Sequence, residues 1–241
     1  MSERLGSIRT PWTDIILAQQ GDPIMRAKCL EELAGKYYEP IRAYLGAKSR
    51  VTQPADLDDL IQTFFQRFLE KSLLDILDRD KGSLRGFLMR TADRFVMDEK
   101  RRGQRHNPGS PLTRHKNLQF PETEADDDAP APEGRFNRLW ADELMRDILA
   151  AFKAECLDHG KRHYYQVAEQ QLLCPDKFNN PTRAETAVNL DMDEKKVSNT
   201  LHRAKAVLKD VTWRIVRATT ASDEDAEREL ADLQRYYSTP S

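Results

Sequence analysis

Apolar residues recur along this chain at the three- and four-residue spacing of helices, and the strict alternation of half-buried strands is absent. From Thr13 to about Leu45, the residues Ile16, Leu17, Ile24, Leu30, Leu33, Tyr37, Ile41, Tyr44 and Leu45 form one stripe. It is broken by the Gly-Asp-Pro at 21–23, which predicts two helices. Pro54 and Asp56 then start a helix whose residues Leu57, Leu60, Ile61, Phe64, Phe65, Phe68 and Leu69 make a wide apolar face that must be buried. A turn with a possible N-cap at Gly82-Ser83 opens the next helix, with Leu84, Phe87, Leu88, Thr91, Phe95 and Val96 inward. Periodicity returns with Phe136, Leu139, Trp140, Leu144, Ile148, Leu149 and Phe152, then in a helix around Tyr164–Leu173. A short helix, a tight turn and a long helix follow from Thr182 to Val216. The expected fold class is all-α.

Between Gly103 and about Gly134 the pattern disappears. The stretch is rich in Pro and Gly and carries Glu122, Glu124, Asp126, Asp127, Asp128 and Glu133, so it buries too little apolar surface to offset the entropy of ordering. It reads as a flexible acidic linker over residues 106–134. The expected organisation is two small helical domains, 10–105 and 135–217, the second ending in a helix-turn-helix. An acidic tail, 218–241, is capable of one more helix.

Composition narrows the class. The 241 residues are 39% hydrophobic and 32% charged, which suits small helical units with much exposed surface. No run of about 18 apolar residues occurs and the first residues lack an apolar signal region, so no membrane insertion and a cytoplasmic location are expected. Cys29, Cys156 and Cys174 lack the close pairing of zinc sites and read as buried thiols. His159 and His163 stand four apart with Gly160 between them and no carboxylate at metalloprotease spacing, so they read as a surface pair. With no phosphate-cradling loop and no nucleophile elbow, neither an enzyme nor a cofactor or metal is expected. The net charge of -2 gives no overall pull toward nucleic acid, so any such attraction must come from local clustering.

Two clusters exist. Arg85, Arg90 and Arg94 lie away from the apolar face of their helix, which ends in Lys100, Arg101 and Arg102. In the long helix, Asp193 is placed as N-cap and Val197, Leu201, Ala204, Leu208, Val211 and Ile215 share one side. Opposite them lie Lys195, Asn199, His202 and Arg203, flanked by Lys196 and Ser198. Alone, such a face is either solvated surface or a groove-reading surface. The preceding short helix, capped by Thr182 and joined through Asp191 and Met192, is the context in which a second helix enters the major groove. Lys and Arg there neutralise phosphate or contact guanine, and Asn pairs with adenine.

Three motifs carry a family resemblance. The run MDEKKVSNTLHRAKAVL resembles the end of the second DNA-binding domain of bacterial RNA polymerase sigma factors of the extracytoplasmic-function type. ADLDDLIQTFFQRFLEK is similar to the core-polymerase-binding helix of that family, and GSLRGFLMRTADRFVMDEKRR to its promoter-melting helix. The start TPWTDIILAQQGDP and the acidic tail resemble a large-tailed, planctomycete-like branch. The chain departs from the family pattern at Asp191, where Gly is usual, at Thr186, where a branched aliphatic is usual, and in the length of the DRDKG loop.

The resemblance implies a sigma factor that directs transcription initiation, with core RNA polymerase and promoter DNA as partners and an anti-sigma protein as an open further partner. It places core-polymerase binding on Asp59, Leu60, Gln62, Thr63, Phe65 and Gln66. Binding to the -10 element falls to Arg85, Arg90, Arg94, Lys100, Arg101 and Arg102, with the loop 72–81 capturing a flipped base. Phe87 and Phe95 read as core rather than stacking platforms. Binding to the -35 element falls to Arg183, Lys195, Lys196, Ser198, Asn199, His202 and Arg203. The rival expectations are a helix-turn-helix repressor or activator independent of core polymerase, and a helical interaction protein that has kept the fold.

Overall fold

The computed structural model describes residues 19, 23–49, 51, 53–70, 82–104, 131–173 and 180–238. Among them the regular structure is entirely helical. The elements are α1 (Pro23–Ser49), α2 (Pro54–Glu70), α3 (Leu84–Gln104), α4 (Pro132–Asp158), α5 (Arg162–Gln171), α6 (Arg183–Asn189), α7 (Glu194–Arg217) and α8 (Asp223–Ser238). The all-α expectation therefore holds. The expected helix before Gly21, the loop 72–81, Cys174 and residues 106–130 of the acidic linker lie outside the described residues.

The chain divides into two compact units. One comprises Leu144–Val216; the other holds the described residues of Arg9–Glu143 together with those of Arg217–Ser241. The division falls inside α4, so residues 135–143, read as part of the second domain, group with α1–α3. So does the segment after Val216, read as a tail. Residues 132–134, read as linker, are the first turn of α4: Pro132 suits a first helical position and Glu133 suits the positive end of the helix.

In the unit containing α1, the stripes meet as expected. Leu33, Tyr37, Ile41, Tyr44 and Leu45 of α1 are buried with Leu60, Ile61, Phe64 and Phe68 of α2, and with Leu84, Leu88, Ala92 and Phe95 of α3. Phe136 and Trp140 from the start of α4 complete this core, Trp140 stacking on Tyr37 at 4.7 Å between ring centroids. Each large side chain withdrawn from water here stabilises the unit by roughly 1.5–3 kcal/mol before entropy is counted. A polar network sits beside the core. The Tyr44 hydroxyl donates to Asp93 Oδ1 at 2.7 Å, and Lys48 Nζ lies 3.3 Å from Asp93 and 2.9 Å from Glu133. Burial and then the Asp93 carboxylate push the Tyr44 phenol above its ordinary range, keeping it a neutral donor.

In the Leu144–Val216 unit, α4 presents Leu144, Ile148, Phe152 and Cys156 inward at successive steps of four. Cys29 and Cys156 are buried thiols outside any disulfide, as expected. Gly160, in a left-handed conformation (φ 65°), ends α4. The Lys161 amide closes the motif on the Cys156 carbonyl at 2.7 Å. From α5, α6 and α7, Val167, Ala187, Val197 and Leu201 form a small core with Leu172, Leu190 and Met192 against it. Arg214 of α7 reaches Glu155 of α4 at 2.9 Å, which fastens the long helix within the unit.

Candidate nucleic-acid interface

The α6–turn–α7 segment is built from local signals. Thr182 caps α6: its hydroxyl accepts from the Glu185 amide at 3.2 Å, while the Glu185 carboxylate accepts from the Thr182 amide at 2.7 Å, a complete capping box. That backbone hydrogen bond, and then the Thr182 hydroxyl, hold the Glu185 carboxyl below its usual range. α6 ends as α4 does. Asp191 takes the left-handed conformation (φ 51°), its amide donates to Val188 O at 3.3 Å, and the Met192 amide donates to Ala187 O at 2.9 Å. Asp193 then caps α7 by accepting from the Lys195 amide at 2.7 Å.

Behind this turn, one side chain joins α5 to α6. The Gln171 amide donates to Thr186 Oγ1 at 2.7 Å and to Pro181 O at 2.6 Å. Thr186 is fully buried, so the hydroxyl that stands where the resemblance expects an aliphatic is matched by a partner on the neighbouring helix. A second link runs from Asn189 Nδ2 to Gln170 Oε1 at 3.3 Å.

α7 buries Val197, Thr200, Leu201, Ala204, Val211 and Ile215, while Leu208 is only half-buried. Lys195, Asn199 and His202 follow one another down the exposed side, with Lys196 and Arg203 on one flank and half-buried Ser198 on the other. Arg183 is exposed at the first position of α6. Two exposed cations on the same side, Lys205 and Lys209, were missed by the sequence reading, although continuing the same spacing past Arg203 reaches them. The surface is densely cationic with one amide and one imidazole, a composition suited to phosphate contacts with a few base contacts.

On α3 the predicted residues separate. Arg90, Arg94 and Arg101 are exposed and share one face with the exposed Met97, at successive steps of four, three and four. Arg102 lies on another side, 3.2 Å from the fully buried Glu99, which also pairs with Arg67. Lys100 is half-buried. Arg85 is largely withdrawn from the surface. Its Nε donates to Glu229 Oε1 at 3.0 Å, its Nη1 to Asn137 Oδ1 at 3.0 Å and its Nη2 to Asp232 Oδ2 at 2.6 Å. In this conformation carboxylates of α8 hold Arg85. Phe95 is buried beneath Arg67 and meets Phe64 edge-on at 5.4 Å, so it is core as expected; Phe87 packs half-buried against the same core.

The outward face of α2 carries Asp59, Gln62 and Gln66, all exposed and beside the exposed Asp58. Thr63 turns its hydroxyl back to the Asp59 carbonyl at 2.8 Å. Leu60 is buried and Phe65 packs half-buried beside Tyr38, so both pack the helix from within. His159 Nδ1 lies 2.9 Å from the Glu155 carbonyl and His163 stacks edge-on with Tyr164, and the two rings serve those local contacts. Among the described residues, no helix is long and apolar enough to cross a membrane.

No family model, no curated protein and no solved structure matches this chain.

Proposed function

We propose that the protein is a sigma factor of the extracytoplasmic-function type. In this reading it binds core RNA polymerase in the cytoplasm and directs promoter recognition and transcription initiation. The carrying observation is the cationic side of α7, presented by a capped short helix and a hydrogen-bonded turn. α6 and α7 act as a helix-turn-helix, with Lys195, Lys196, Asn199, His202, Arg203, Lys205 and Lys209 reading -35 duplex. The Arg90–Arg94–Arg101 face of α3 follows the phosphates of the -10 strand. The Asp59–Gln62–Gln66 face of α2 meets a basic surface of core polymerase. The two units act as separate binding domains, and the protein supplies binding energy while RNA synthesis belongs to the polymerase.

The test is the double variant Asn199→Ala/Arg203→Ala. It should lose affinity for promoter duplex while keeping its affinity for core polymerase. Unchanged promoter choice would remove the assignment to α7. Tight duplex binding by a protein that never associates with core would favour a regulator of another class.

A further inference from the structure

The grip of α8 on Arg85 goes deeper than a surface ion pair, and the inference drawn from it rests on the interface proposed above. Every guanidinium nitrogen of Arg85 is engaged, and the Arg85 and Glu229 side chains are only 16% and 6% exposed. The groups converge on the start of α3. Ser83, whose hydroxyl caps this helix by accepting from the Gly86 amide, also hydrogen-bonds Glu229, and the Leu84 amide donates to the Thr219 carbonyl at 3.1 Å. A guanidinium, a hydroxyl and the positive end of a 21-residue helix meeting two carboxylates is the arrangement that also receives a phosphate.

The fully buried apolar side chains of α8 are Ala226 and Leu233, with Leu230 and Tyr236 half-buried, against the leucines and phenylalanines by which α2 and α3 are held. The outer side of α8 exposes Asp223, Glu224 and Glu227. A helix that buries few large apolar side chains and is held besides by charge-assisted hydrogen bonds can be exchanged for another polyanion without tearing an aromatic core.

We propose that α8 is a built-in antagonist of the α3 interface: Glu229 and Asp232 occupy Arg85 in the free protein, and a phosphate of single-stranded DNA takes their place on binding. Arg85 then adds to the Arg90–Arg94–Arg101 face. In the free protein that addition is withheld.

The experiment measures binding of a fluorescent single-stranded oligonucleotide by anisotropy over a range of salt, using the full chain. Glu229→Gln/Asp232→Asn should bind about tenfold tighter than wild type. Its plot of log affinity against log salt should keep the wild-type slope, because Arg85 meets the same phosphate in both complexes, and should flatten by about 0.7 only once Arg85 itself is removed. Adding Arg85→Ala to that variant should abolish the gain. Removing two charges elsewhere on the helix, Glu224→Gln/Glu227→Gln, should give no comparable gain. If the first variant loses its native circular dichroism, Asp232→Asn alone is read the same way, with a two- to threefold gain expected. Equal affinities of wild type and the variants, or a gain that survives Arg85→Ala, overturn the antagonist. Binding by no form of the protein overturns both the antagonist and the interface it regulates.

Discussion

Replacing Gln171 by Leu isolates the bond that fits α6 against α5. The Gln171 amide supplies the 2.7 Å hydrogen bond to Thr186 Oγ1, and Thr186 is 0% exposed. Removing the donor strands a hydroxyl where water does not reach, at a cost of about 2 kcal/mol. Thr186→Val should cost less, about 1 kcal/mol, because the Gln171 amide is half-buried and keeps the Pro181 carbonyl at 2.6 Å. With both changes the site becomes apolar on both sides and only the half-buried Pro181 carbonyl, which water can reach, loses its partner, so the double variant should also lose only about 1 kcal/mol. The two changes are therefore coupled by about 2 kcal/mol. Urea unfolding followed by far-ultraviolet circular dichroism reads this as a midpoint about 1 M lower for Gln171→Leu, with much of the loss recovered on adding Thr186→Val. If the double variant is as unstable as the two single losses combined, the hydrogen bond is not what accommodates Thr186 at this position.

Other consequences are direct. Asp191→Gly should stabilise the protein by about 1 kcal/mol, raising Tm by a few degrees, because the left-handed turn at φ 51° then carries no side-chain penalty; a lower Tm would show that the Asp191 carboxylate has a compensating role. The hydrogen bond from Arg214, outweighing burial, holds the Glu155 carboxyl below its ordinary value. That contribution is therefore present above the ordinary carboxylate range and lost as pH falls through the depressed value, so Glu155→Gln should flatten the loss of stability between about pH 5 and pH 3. An unchanged acid limb would refute it. Lys205→Ala and Lys209→Ala should each lower the salt slope of duplex binding by about 0.9, measured by anisotropy; a slope equal to wild type excludes the lower half of α7 from the contact.

The helices were legible because each element keeps a continuous apolar face, as in Leu60, Ile61, Phe64 and Phe68 of α2. The ends were legible for a related reason. Ser83, Thr182 and Asp193 cap through hydrogen bonds to residues two or three positions away, so the whole interaction is contained in a short stretch of sequence. The partners of Arg85 were not legible because they lie 144 and 147 residues away, and no local pattern tells an arginine bound by a distant carboxylate from one that waits for phosphate. Leu60 and Phe65 show a different limit: a motif match gives helix and residue type together, and only burial separates the side chains that build a face from those that present it. The grouping of α8 with α1–α3 was hidden likewise, since the outer acidic residues of α8 resemble those of a solvated tail.

The central claim, that α7 reads promoter duplex in the service of core polymerase, is tested most directly by a reconstituted transcription assay. Purified protein is added to core RNA polymerase on a library of promoter fragments on which core alone does not initiate. Discrete start sites should appear that depend on the protein and disappear with Asn199→Ala/Arg203→Ala. Protein that leaves the start-site pattern of core unchanged on every fragment would contradict it.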